Sequence, residues 1–118
     1  MTARCIKTVF AALLLWYPPL LLAEVPVIEI EIRNHLFQPD VVVVPVNTKV
    51  KVIIYNRDTT PEEFESYELN REKVIVGGRK GILFVGPLSP GEYPFFGEFN
   101  PQTAIGKIVV EGETDAIE

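Results

Sequence analysis

The sequence has 118 residues, 47% of them hydrophobic, with ten prolines, eight glycines and a formal charge of −5. That length holds one domain and little more, and the prolines and glycines work against long helices. The acidic balance and the lack of a basic patch argue against a nucleic-acid partner and leave a metal ion or a cationic partner as the better fit.

The chain opens on a separate unit. Arg4 and Lys7 make a short basic start, Val9 to Leu22 is apolar, and Ala23 follows. A basic start, about 7–15 apolar residues and a small residue at the cut are the layout of a secretory signal. The chain therefore divides into a signal peptide, 1–23, and a domain, 24–118. An uncleaved membrane anchor is the alternative, but the run falls short of the about 20 residues of a span and is broken by Pro18 and Pro19. Cys5 precedes the apolar run, so it is not a lipid anchor. Beyond residue 23 there is no cysteine and no methionine, hence no disulfide and no thiolate ligand. The leader takes two of the eleven basic residues and none of the acids, leaving nine against sixteen and a formal charge of −7.

Strand signals then follow closely. Val27 to Ile32 reads VIEIEI, which predicts Ile28, Ile30 and Ile32 inward and Glu29 and Glu31 outward. Val41 to Val44 is a short apolar run between Pro39 and Pro45, and Lys49 to Tyr55 alternates at its start. Phe64 to Leu69 is mixed. Lys73 to Val76 stops at the Gly77-Gly78 turn, and Gly81 to Val85 stops at Gly86-Pro87. Gly91 to Phe99 is aromatic-rich, and Gly106 to Glu111 closes the domain. Tyr67 to Lys73 is the single helix candidate, enough for one turn. Seven or eight short strands at near-regular spacing predict an all-β sandwich.

Two stretches are more specific. HLFQPDVVVVPVNTKVKVIIYNRD, His35 to Asp58, resembles the start of a cupredoxin: a Phe-x-Pro, a Val-Pro turn and a strand ending in Asn-x-Asp. LSPGEYPFFGEFNPQTAIGKIVVE, Leu88 to Glu111, resembles the last hairpin of the same fold, with its ligand loop and a Gly-x-Ile-x-Val strand. The resemblance implies a cupredoxin-like Greek-key β-sandwich. It also puts Gly97 where a blue-copper protein has its cysteine, Asn100 where it has a histidine, Ala104 or Ile105 near the methionine, and Glu62 where the first histidine belongs. A copper electron-transfer site is thereby excluded on its ligands.

PEEFESYELNREKV, Pro61 to Val74, and GEYPFFGEF, Gly91 to Phe99, are similar to the EfeO-type cupredoxin-like domains, including the small stand-alone ones that accompany high-affinity iron permeases. That resemblance implies a periplasmic protein that handles iron or copper ions and passes them on. Its partners would be an inner-membrane iron permease and a periplasmic iron-binding protein, with a second copy of the chain as a further candidate. Asn100 departs from the branch, which carries a histidine there.

The resemblance gathers three loops at one end of the sandwich and makes His35, Glu62, Glu63, Glu98 and Asn100 candidate metal ligands, with Glu65 beside them. Carboxylates with one imidazole suit Fe(II), Fe(III), Mn(II) or Cu(II) better than Cu(I). Each residue has an ordinary alternative. A lone histidine is commonly a surface residue, and a run of acids is commonly a solvated edge. If Phe64 packs inward, Glu63 and Glu65 face out. Tyr67, Tyr93, Phe95, Phe96 and Phe99 read as core or rim packing, and Arg71, Lys73, Arg79 and Lys80 as counter-charges for the acids. No nucleophile is paired with a base. The expectation is a non-enzymatic metal-binding accessory of an iron-uptake system. The alternative is a metal-free interaction module on the same scaffold.

Overall fold

A computed structural model of the protein describes residue 3, residues 11–18 and residues 24–112. The boundary at Ala23 and Cys5 lie outside the described residues. Among those described, no helix is long and apolar enough to cross a membrane.

Among the described residues, nine strands form two sheets. In one sheet, β2 (Leu36–Gln38) pairs with β1 (Val27–Arg33), then come β4 (Val50–Asn56) and β7 (Lys80–Val85). The other runs β3 (Val41–Val44), β9 (Ile105–Val110), β8 (Gly91–Gly97), β5 (Glu62–Ser66) and β6 (Arg71–Ile75). The β1–β4 and β3–β9 pairs are parallel and the rest antiparallel. The two-sheet sandwich expected from the strand spacing is therefore present.

Alternation builds the core. Ile30 and Ile32 of β1, Val52 and Ile54 of β4, and Leu83 and Val85 of β7 face Val42, Val44, Phe64, Ile75, Phe95, Ile108 and Val110 of the other sheet. Each such buried side chain contributes about 1.5–3 kcal/mol. At one end Phe37, Phe64 and Phe95 form an aromatic cluster, with Phe37 edge-on to both others and ring centroids 4.9–6.2 Å apart.

Two details differ from the sequence reading. A ninth strand, β2, is only three residues long and exists because the Asn34–His35 turn folds it back on β1. Tyr67 to Asn70 makes a hairpin turn rather than a helical one. Asn70 takes a left-handed φ of 52°, and the buried Ser66 hydroxyl accepts from Leu69 N at 3.2 Å while donating to Pro94 O at 2.7 Å. A serine that satisfies the turn's backbone in this way competes with helix formation.

Candidate functional site

The end of the sandwich that holds the candidate residues is organised by Asn56 and Asp58. Asn56 closes the inward row of β4, is 1% exposed, and donates through Nδ2 to Thr60 O at 2.8 Å and Ile75 O at 3.0 Å. Its Oδ1 accepts from Asp58 N at 3.0 Å. Asp58 then reaches back to the β1–β2 turn, accepting from Asn34 N at 2.8 Å and His35 N at 2.9 Å. Both turn residues have positive φ, 51° and 60°, as a two-residue hairpin turn of this hand requires. The paired acceptors hold a left-handed conformation that is uncommon outside glycine.

His35 is thereby fixed at the mouth of the ligand loop. Its imidazole Nδ1 lies 3.6 Å from Asp58 Oδ2, and its carbonyl accepts from Thr103 Oγ1 at 2.9 Å. It borders a shallow depression with Phe99, Asn100, Pro101, Gln102 and Thr103. The loop itself winds on Asn100: Asn100 N donates to Gly97 O at 3.1 Å, while Thr103 N and Ala104 N donate to Asn100 O at 3.2 and 2.9 Å.

Glu62 comes from the first position of β5 and points inward, with the parity of Phe64 and Ser66. It is 1% exposed. One carboxylate oxygen accepts from Phe99 N at 2.9 Å and from Glu63 N at 3.1 Å, and the other accepts from Asn100 Nδ2 at 2.7 Å. The space it fills lies over Gly97, where a Cβ would stand 2.5 Å from the Glu62 carboxyl carbon and 2.7 Å from the Ala104 methyl.

Glu63 and Glu65 take the opposite parity and lie half-buried on the outer face of the five-stranded sheet. Phe64 packs inward, fully buried, so the outward reading of the two glutamates holds. Across the hairpin Glu65 pairs with Glu72, and one carboxylate oxygen from each of Glu63, Glu65 and Glu72 lies within 4.8 Å of the others. Partial desolvation, then Glu98, Glu72 and Glu62, push the Glu63 carboxyl up. Partial desolvation, then Glu72, Glu98 and Glu63, do the same for Glu65. The expected counter-charges are elsewhere. Arg71 donates to the Phe84 and Asn70 carbonyls at 2.9 Å. Among the described residues, none of Arg71, Lys73, Arg79 and Lys80 is in an ion pair.

The structure thus joins Glu62 to Asn100, sets His35 at the edge of the same loop, and leaves Glu63 and Glu98 on a separate acidic face. Glu98 is exposed, tied to Glu63 only through its backbone N–H on Glu63 O at 2.8 Å. The residues that sequence reasoning passed over are Asn56, Asp58 and Glu72. Glu72 comes opposite Glu65 because the chain makes a hairpin around a four-residue turn, where the sequence predicts a helical turn.

The cupredoxin-like domain family matches residues 6–110, and the chain belongs to that family. A protein of Rickettsia prowazekii (strain Madrid E), RP394, is 45% identical over 83 residues, which is 70% of this chain and 66% of the relative. Auracyanin A, a blue copper protein of Chloroflexus aurantiacus, superposes with a TM-score of 0.64 at 11% identity, over 75% of this chain and all of that one. The metal-binding domain of the Streptococcus pneumoniae Cu(I)-exporting ATPase CopA does so at 0.62 and 14%, over 73% of this chain and 85% of that one.

Copper, which such neighbours bind, does not fit the donor set here. The positions that the resemblance assigns to its ligands hold a glycine, a carboxylate and an amide, with Ala104 fully buried beside them. There is no thiolate and no imidazole at that point, and both carboxylate oxygens already accept protein N–H groups. A soft, redox-active copper centre needs the opposite inventory.

Proposed function

We propose that the chain is an exported accessory of an iron-uptake system that works without a redox copper, by binding the proteins that move the iron. The observation that carries this reading is the engaged Glu62–Asn100 pair at the copper position. The iron-uptake setting follows from the similarity of Pro61–Val74 and Gly91–Phe99 to EfeO-type domains. It brings the periplasm as compartment, and a permease and a periplasmic iron-binding protein as partners. The protein is read as non-enzymatic, its one histidine leaning on Asp58. Cells lacking the chain are expected to take up radiolabelled ferrous iron more slowly, with full rescue by the wild-type chain in copper-depleted medium. Unchanged uptake, or rescue that fails without copper, contradicts the proposal.

A second reading keeps a cation on the protein itself. It is favoured by the convergence of Glu63, Glu65 and Glu72 within 4.8 Å. Three carboxylates, two half-buried and one exposed, suit a hard, exchangeable ion such as Fe(II) or Mn(II), or a weakly held Cu(II). In that case Glu63 is the one candidate ligand of the original set at the site, with Glu98 adding charge nearby.

A further inference from the structure

We infer that Glu62, Gly97 and Asn100 act as one structural unit in which a buried carboxylate takes the place of a metal as the hub of the ligand loop. The inference concerns this end of the fold alone and does not depend on which partner the protein serves.

A carboxylate that is 1% exposed is costly unless its charge is met by donors. Here three N–H groups meet it: Glu63 N from its own strand, and Phe99 N and Asn100 Nδ2 from a loop 37 and 38 residues further along. Charge-assisted bonds of this kind are the strong ones. They join β5 to the loop after β8 in the way that a bound metal joins the segments that ligate it. No side-chain nitrogen or oxygen buried among the described residues is left without a partner, so the hub is complete as built.

Gly97 is the second member. Its backbone is not left-handed, so glycine is not required for its conformation. It is required for space, because any Cβ at 97 would run into the Glu62 carboxyl group and the Ala104 methyl. A cysteine at 97 and an inward carboxylate at 62 therefore exclude each other. Asn100 is the third member: it offers an N–H donor to the carboxylate, whereas an acid there would set two negative charges against each other.

The test is a set of variants of the metal-free protein followed by thermal unfolding and by amide NMR. Asn100→Asp is expected to lower Tm by roughly 10 °C or more at neutral pH. Adding Glu62→Gln to it should restore most of that loss, because the amide and the carboxylate have simply exchanged sides. Gly97→Ala should lower Tm more in the wild-type background than beside Glu62→Ala, a non-additivity that only direct contact produces. If Glu62→Ala does not fold, the Asn100→Asp and Glu62→Gln pair decides the matter alone. In a Glu63→Gln, Glu65→Gln, Glu72→Gln background, which removes the outer carboxylate cluster, added Cu(II) should leave the Phe99 backbone amide resonance unbroadened. An Asn100→Asp variant as stable as its parent overturns the inference. So does a failure of Glu62→Gln to rescue it, or broadening of the Phe99 amide by Cu(II) in that background.

Discussion

The buried Glu62 and the half-buried Asn100 meet at 2.7 Å. At such a contact the protonation of a substituted group should govern stability. With aspartate at 100, one of the two facing carboxyls must hold a proton for a hydrogen bond to form. The stability deficit of Asn100→Asp is therefore expected to shrink as pH is lowered, whereas the wild-type pair needs no such proton. Unfolding in urea at neutral and acid pH measures this, and a deficit that stays constant with pH contradicts the facing geometry. The inward aim of Glu62 was legible in the sequence, since it stands two residues before Phe64 and shares its side of the strand. Its partners were not, because the bonds to Phe99 and Asn100 cross 37 and 38 residues. The same is true of Asp58, whose acceptors serve a turn more than 20 residues earlier.

The hairpin of β5 and β6 carries the acidic face. Glu65 and Glu72 are directly paired across it, and like charges in that position oppose each other. The Glu63 and Glu65 carboxyls are raised in the folded protein, so the folded state binds protons more readily than the unfolded chain. By linkage they oppose folding at neutral pH, and that opposition fades as pH falls from their raised values toward the ordinary value of 4.5 and is gone below it. Glu65→Gln is accordingly expected to raise Tm at pH 7 and to leave it nearly unchanged at acid pH. A Tm that falls at pH 7 would mean that the glutamate has an unseen cationic partner. The acids at 63 and 65 were readable as an outward pair once Phe64 was placed inside. Glu72 was not, because Tyr67 to Lys73 reads as a helical turn until the Ser66 hydroxyl is seen holding the Leu69 and Pro94 backbones in a hairpin.

Across the whole molecule the strands and the core followed from alternation, as in VIEIEI, where Ile30 and Ile32 are buried and Glu29 is exposed. The cupredoxin-like family assignment agrees with the two stretches that first suggested it. The chemistry did not follow from the fold, because a cupredoxin scaffold is compatible with both a metal centre and its replacement. Three roles are separated on it: a carboxylate hub at the copper position, His35 on a braced turn at the loop mouth, and a carboxylate cluster on the outer sheet. Calorimetric titration of the protein with Cu(II) distinguishes them most directly, beside Glu62→Ala, His35→Ala and a Glu63→Gln, Glu65→Gln, Glu72→Gln triple variant. The predicted result is weak binding that the triple variant removes and that neither Glu62→Ala nor His35→Ala weakens, with no visible thiolate-to-copper band. Tight binding that is lost in Glu62→Ala or His35→Ala would contradict it and place the metal at the end of the sandwich that holds the loop of Asn100.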